Sequence, residues 1–373
     1  PAANLLAVPL VALIVMPAGL VGAALTLVDP LLSGPWYRLA SFGLELLLQW
    51  VQFARDCGPH ILQPAAAGPA ALACGIAGSA LLLAPRSWPG RGTAAALLGP
   101  LLLWQGSSPS PGGFDLAVLD VGQGLSVVIR THLHTMVYDA GPSWPGGDAG
   151  HQTVSPYLRG EGVGQIDALV ISHGDNDHAG GAAALVGQVS GPVFAGEGTI
   201  VPGIGTRACV AGDGWEWDGV RFEFLSPAPG AAAGDNDGSC VLRIRSFYGS
   251  VLLPGDIEAA TERALVAAGT DVSADVVIAA HHGSATSSVP SFVSATGADW
   301  VVYAAGYGNR WRFPRPEVEA RWRTAGARAA NTGSDGAVRL RFGPGRDGPT
   351  VDVWRCVSRR FWRQRDCTGF GVP

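Results

Sequence analysis

Ala168-Leu169-Val170-Ile171-Ser172-His173-Gly174-Asp175-Asn176-Asp177-His178-Ala179-Gly180-Gly181 runs from an apolar strand into a turn that places four potential metal ligands within six residues. A loop leaving a buried strand can aim His173 and Asp175 at one ion while Asp177 and His178 turn towards a second, so the spacing suits two cations in one cleft. Taken alone, the run also reads as an acidic, histidine-bearing turn at a strand end.

Other strand ends carry the same kind of side chain. Val251-Leu252-Leu253-Pro254-Gly255-Asp256 finishes an apolar run on a carboxylate, and Val276-Val277-Ile278-Ala279-Ala280-His281-His282-Gly283-Ser284 finishes another on two imidazoles. Upstream, Asp120 and Asp139 close two further apolar runs. A rigid sheet holding polar groups at its strand termini leaves the loops free to receive a substrate.

In their joint order these elements resemble the metallo-β-lactamase-fold superfamily, and within it the C-terminal domain of ComEC-type DNA uptake proteins. The resemblance is carried by Leu119-Asp120-Val121-Gly122-Gln123-Gly124, Tyr138-Asp139-Ala140-Gly141, Ser172 to Gly181, Asn236-Asp237-Gly238-Ser239, Pro254-Gly255-Asp256, His281-His282-Gly283-Ser284 and Thr286-Ser287-Ser288. It covers roughly Phe114 to Phe342. It implies an α/β fold, a metallo-β-lactamase-like αβ/βα sandwich preceded by transmembrane helices. The expected domains are a membrane region over 1–110, a hydrolase domain over 111–345 and a basic, aromatic tail over 346–373.

On this reading two divalent metal ions, Zn or Mn, are held by His173, Asp175, Asp177, His178, Asp256 and His281, with Asp177 and Asp256 as the catalytic carboxylates. Asp256 would lie between the ions, and His281 is preferred to His282 because it comes first after the strand, with either orientation open. Asp175 stands where the commonest superfamily motif has a second His, and the ComEC relatives share that change. No His occupies the Asn236 to Ser239 region either, so the donor set is rich in oxygen and suits Mn as well as Zn. Further candidates for metal or substrate are Asp120, Asn236, Asp237, His282, Ser284 and Ser287. Asn236 and Asp237 read equally as a β-turn, and the serines as helix caps.

Phosphodiester hydrolysis is the chemistry such a pair of ions favours. Tyr307 to Pro316 occupies the place where many relatives carry a His-Pro pair, but Phe313 replaces the His. Arg310, Arg312 and Arg315, interleaved with Trp311 and Phe313, could instead grip phosphates and stack bases. The resemblance implies DNA, single-stranded or duplex being unwound, the membrane and other competence-machinery proteins as partners. It also implies a multi-pass place in the bacterial inner membrane with the soluble domain on the periplasmic side, degrading the strand that is not transported. An envelope phosphodiesterase and a non-catalytic DNA-binding part of a transport channel are the alternatives.

Composition bears on this unevenly. Of 373 residues the first hundred are nearly uncharged, and Asn4 to Val28 is apolar and long enough to cross a bilayer, with Pro9 and Pro17 expected to kink it. Ala65 to Ala84 and Thr93 to Trp104 are further span candidates around a link bearing Arg86 and Arg91. Trp36 to Phe53, with Leu39, Phe42, Leu46 and Trp50 at helical spacing, reads as an amphipathic helix lying in the interface or as a core helix. The chain opens on Pro1 without a basic leader, so a signal peptide is not expected and further sequence ahead of it is.

The net charge is −5 and every cationic side chain except His is Arg, so no global field draws in nucleic acid. None of the six cysteines forms a CxxC pair, which argues against structural zinc. In an oxidising compartment Cys209 with Cys240 and Cys356 with Cys367 are plausible disulfides. Strands are expected at 114–119, 126–129, 135–138, 168–171, 220–225, 240–245, 250–253 and 275–279, and helices at 257–268, 291–295 and 316–325. Gly106 to Gly113 and Gly230 to Gly234 read as linkers.

Overall fold

The computed structural model describes residues 2–57, 67–85, 88, 90–103, 106–196, 198–228, 236–345, 348–358 and 367. Two compact units divide the chain, Pro1–Gln63 and Pro64–Pro373. The expected linker at Gly230 to Gly234, Arg86, Trp104 and the tail residues 359–366 lie outside the described residues.

In the first unit, α1 (Ala2–Leu10) and α2 (Met16–Thr26) are joined by a π-helical turn, Val11–Val15. The amide of Met16 reaches back to the Val11 carbonyl, so the helix absorbs its two prolines, each lacking an N–H, by widening rather than breaking. Leu6–Thr26, 21 residues with a mean hydropathy of 2.3, is long and apolar enough to cross a bilayer. Asp29 accepts the Leu31 amide at 2.9 Å beside the start of α3 (Pro30–Cys57), which runs well beyond the expected Trp36 to Phe53. Within that helix Leu39, Phe42 and Leu46 are exposed, while Gly43 lies against Val15 and lets the backbones close up.

The second unit opens with a hairpin of α4 (Pro69–Leu83) and α5 (Thr93–Leu102), packed through Gly75 against Leu101 and Gly78 against Ala94. At 15 residues and ~1.5 Å per residue, α4 is shorter than the ~30 Å hydrocarbon layer expected of a span. The strands that follow are β1 (Phe114–Val118), β2 (Val127–Arg130), β3 (Thr135–Tyr138), β4 (Ser143–Trp144), β5 (Gly147–Asp148), β6 (Ala168–Ile171), β7 (Val193–Ala195), β8 (Arg207–Ala208) and β9 (Gly214–Trp217). Then come β10 (Val220–Ser226), β11 (Val241–Ser246), β12 (Gly249–Leu253), β13 (Val276–Ile278), β14 (Trp300–Tyr303), β15 (Arg328–Asn331), β16 (Val338–Phe342) and β17 (Thr350–Val353). Residues 350–353, inside the expected tail, thus form a strand.

One sheet has the order β17-β16-β1-β2-β3-β6-β7-β8 and the other β15-β14-β13-β12-β11-β10-β9, with β4-β5 a separate ribbon. Period-two alternation builds three layers of core from these strands. Phe114, Leu116, Val118, Met136 and Val170 of the first sheet meet Phe222, Phe224, Ile244, Val251 and Val302 of the second. The intervening residues Ala117, Val137 and Leu169 face the other way, onto Leu158 of α6 (Ser155–Gly160) and a helical stretch ending at Leu185. Likewise Leu252, Val277 and Val301 pack on α9 (Ala259–Ala267), α10 (Pro290–Thr296) and α11 (Pro316–Thr324), with α7 (Asn176–Ala179) and α8 (Ala182–Leu185) preceding them in the chain. The result is the αβ/βα sandwich. Disulfides Cys209–Cys240 and Cys356–Cys367 are both formed, each with a Cα separation of 5.8 Å.

Glu262 of α9 is buried and accepts the amides of Ser288 at 2.6 Å and Val289 at 2.7 Å, fastening the loop that leads into α10. Burial nevertheless pushes its carboxyl up to about 7, against those two hydrogen bonds. Because the folded chain keeps this proton to higher pH than the unfolded chain, the stability it contributes is full below the ordinary Glu value and is lost as pH rises through about 7. A tenfold difference in proton affinity between folded and unfolded chains is worth ~1.4 kcal/mol, so chemical unfolding at pH 5 and pH 8 is expected to show a loss on the order of 3 kcal/mol in the native chain. Glu262→Gln should show no such slope. Equal slopes in both proteins would contradict this assignment.

Candidate metal centre

Parallel pairing of β3 with β6 and of β12 with β13 brings four strand ends to one edge of the sandwich. Asp139 follows β3, Ser172 and His173 follow β6, Asp256 follows β12, and His281 and His282 follow β13. Several of these residues sit in the left-handed region, Asp139 at φ 59°, His281 at φ 49° and His282 at φ 55°. Asp and His tolerate that region better than most residues, and strained backbone of this kind clusters at functional sites. Gly124, at φ 138°, is required for a different reason, since a Cβ there would stand 2.3 Å from the Asp177 carbonyl oxygen.

The centre is a buried set of imidazoles and carboxylates. His178 Nε2 lies 3.1 Å from His282 Nε2 and 3.2 Å from Asp256 Oδ1. His282 Nε2 lies 3.2 Å from Asp177 Oδ2 and 3.5 Å from Asp256 Oδ2. Ligand atoms of His173, His178 and Asp256 form one group within 4.8 Å of one another, and those of Asp177, His178 and His282 form a second. Asp175, at the exposed side, places Oδ2 3.6 Å from His173 Nε2.

The expected residues separate into an inner cluster and a rim. His282, rather than His281, turns into the cluster. His281 stands partly exposed, with Nε2 4.0 Å from Asp256 Oδ2 and Nδ1 3.3 Å from Glu258 Oε1. Asn236 Nδ2 donates to Glu258 at 3.4 Å, Asp237 accepts the Glu258 amide at 2.8 Å, and Ser284 Oγ lies 3.1 Å from Thr286 Oγ1, which itself donates to Glu258 at 3.0 Å. Ser287 is buried with its hydroxyl given to the Ile257 carbonyl, so it is turned away from the cleft. Asp120 lies 3.7 Å from Arg355 Nη2. Arg310 and Arg315 sit over the rings of Trp311 and Phe313.

Three residues with parts in the site fall outside the expected ligand set. Asp139 Oδ2 is 2.7 Å from His178 Nδ1 and accepts the Ser172 hydroxyl at 2.7 Å, while its Oδ1 accepts the Ser172 amide at 2.6 Å. Its place at the end of a strand is visible in the sequence; its partner is not. Ser239 touches both His173 Nδ1, at 3.4 Å, and the Asp256 amide, at 3.1 Å. Glu258 organises the rim, and no local pattern announces it.

The hydrogen bonds fix which nitrogens are bare. His282 Nδ1 lies 2.8 Å from the Ala304 carbonyl, which can only accept, and His178 Nδ1 faces the Asp139 carboxylate. Both Nδ1 atoms therefore donate, and in the neutral rings the two Nε2 lone pairs point at each other and at carboxylates. His173 Nε2 and Asp256 Oδ1 are buried without a hydrogen bond, although Asp256 Oδ1 is within ion-pair distance of His178. Such a group of acceptors needs a positive charge among them, and a divalent cation meets that need.

The titration directions express the same demand for positive charge among the carboxylates. Burial alone would lower the His178 pKa, but Asp256 and Asp139 outweigh it and raise it well above the usual value. Burial also opposes ionisation of Asp256, yet His178 and His282 hold it far below the usual carboxylate range. For His173, burial and then the neighbouring His178 lower the pKa and favour the neutral, ligating ring.

A model of the metallo-beta-lactamase superfamily matches residues 119–306, and a competence-protein model matches residues 1–89. The chain is 32% identical over 367 residues to Competence protein ComA of Neisseria gonorrhoeae, covering 98% of this chain and 50% of that one. It is 36% identical over 243 residues to Recombination protein 2 of Haemophilus influenzae, covering 65% of this chain and 30% of that one. The chain thus spans half or less of the length of these curated relatives. A solved variant of the CmlA beta-hydroxylase aligns with a TM-score of 0.43 at 18% identity, over 63% of this chain and 55% of that one.

Asp139→Asn keeps the shape of the acceptor but removes its charge, and is expected to weaken retention of divalent metal ~10–100-fold. Elemental analysis after titration with a competing chelator measures it. Retention equal to the native chain would show that His178 does not depend on Asp139.

Proposed function

Because the chain belongs to the metallo-β-lactamase superfamily and joins that fold to a competence segment in the ComEC manner, we propose that it is part of a DNA uptake protein whose metal-dependent domain hydrolyses phosphodiester bonds. The observation that supports this reading most is the facing pair of His178 and His282 Nε2 lone pairs, 3.1 Å apart beside Asp177 and Asp256.

His173, Asp175 and Asp256 are suited to hold one ion, and Asp177, His178, His282 and Asp256 the other, with Zn and Mn both compatible with this oxygen-rich set. When bound, such ions neutralise charge on a phosphodiester and make water acidic enough to act at neutral pH. The protein's own part is positional. Asp139 and the Ala304 carbonyl hold protons on the far nitrogens of His178 and His282, keeping the near nitrogens bare. Ser172 and Ser239 steady the His173 ring from the opposite side. Asp177, more exposed than Asp256, is placed to meet an incoming phosphate.

The Leu6–Thr26 helix and the competence relatives support a membrane protein. The two disulfides favour a soluble domain on the oxidising, periplasmic side of a multi-pass inner-membrane protein. There the domain would degrade the strand that is not transported, alongside other competence proteins.

Nuclease assays with Mn²⁺ or Zn²⁺ test this reading. Turnover of labelled DNA is expected to fall to background in Asp256→Ala and His282→Ala, while His281→Ala retains measurable activity. Unchanged turnover in Asp256→Ala removes hydrolysis from this centre. A larger loss in His281→Ala than in His282→Ala reverses the assignment of the two imidazoles.

A further inference from the structure

Beside the metal centre Tyr307, Arg310, Arg312 and Phe313 line a cleft of about 550 Å³ shared with Asn331 and Ser334, and Trp311 and Arg315 belong to the same segment. Its shape is fixed in advance. Asn309 accepts the Phe313 amide at 2.8 Å and donates to the Phe313 carbonyl at 2.7 Å, Gln123 accepts the Gly306 amide at 3.2 Å, and the Arg315 amide reaches the Gly283 carbonyl at 2.9 Å. The aromatic rings on this frame step outward from the buried centre. The Phe313 ring is 6.5 Å from that of His282 and within 23° of parallel, and the Trp311 ring is 6.4 Å from that of Phe313 and within 17°. Trp311 is 42% exposed and Tyr307 84% exposed.

Charge accompanies the rings. Arg310 lies 4.2 Å over the Trp311 ring and Arg315 5.9 Å over that of Phe313. Among the described residues, neither these two nor Arg312 makes an ion pair. Flat apolar faces interleaved with guanidinium groups free of ion pairs match a polyanion whose bases are free to stack. A duplex offers only base edges, because its base faces are already covered by one another.

We propose that this aromatic segment at the edge of the cleft is a base-stacking subsite that makes unpaired, single-stranded nucleic acid the substrate of the centre, with Trp311 seating a base next to the reacting phosphate. The proposal rests on the hydrolytic reading above for its substrate, but its test does not need hydrolysis. Arg310 and Arg312 would take the flanking phosphates.

The test uses the metal-loaded full chain in detergent and a labelled, hydrolysis-resistant phosphorothioate oligothymidylate, read by fluorescence anisotropy. The single strand is expected to bind at least ~10-fold more tightly than a duplex of the same length, and Trp311→Ala to lose about tenfold, as expected for one stacked base. Trp311→Phe, which keeps a flat face, should recover most of that loss. An abasic oligomer should bind the native chain about as weakly as Trp311→Ala binds the normal one, with no further loss when both changes are combined. Equal affinity for duplex, independent losses from ring and base, or no measurable binding overturns the proposal. Retained stacking without cleavage of an ordinary strand leaves it standing and removes the hydrolytic reading instead. Cleavage with an unresponsive Trp311 does the reverse.

Discussion

Everything at the end of the sandwich is arranged around a repulsion. Two imidazoles, each with its Nδ1 proton engaged elsewhere, turn their Nε2 atoms on each other 3.1 Å apart, with a carboxylate against them that burial would otherwise neutralise. Hydrocarbon packing cannot hold such a group together without an opposite charge at its middle, so the frame must be stiff. The stiffness comes from strands such as β3, β6 and β13, in which every residue is buried. It is passed to the side chains through short bonds from Asp139, Ser172, Ser239 and the Ala304 carbonyl.

Much of this was legible in the sequence because the strands that carry the ligands are unbroken apolar runs ending abruptly on a polar side chain. Ala168 to Ile171, Ser250 to Leu253 and Val276 to Ile278 announce themselves in that way, and their ends name the candidate ligands. Other strands were harder to read. Trp300–Tyr303 is a four-residue apolar run with no periodicity to separate strand from helix. Arg328–Asn331 contains two alanines and an asparagine and is a strand only because β14 lies beside it. Val338–Phe342 alternates apolar and Arg and was readable in principle.

The choice between His281 and His282 was not legible. Strand periodicity stops at Ile278, and both histidines then adopt left-handed backbone. That reverses the simple expectation that the first imidazole after the strand faces inward. The pairing of Asp139 with His178 was hidden for a different reason: 39 residues separate them, and only the parallel register of β3 and β6 makes them neighbours. Glu258 gains its meaning from His281, Asn236 and Thr286, which arrive from three separate segments.

Gly124 carries a consequence out of proportion to its size. The loop after β1 can lie directly on the Asp177 carbonyl because hydrogen stands where another residue would place carbon. The next amide, of Leu125, then binds that carbonyl at 3.0 Å. The seat of Asp177 is therefore set by a missing methyl group, and a single added carbon would press on that ligand's own carbonyl and Cβ and prise the two loops apart.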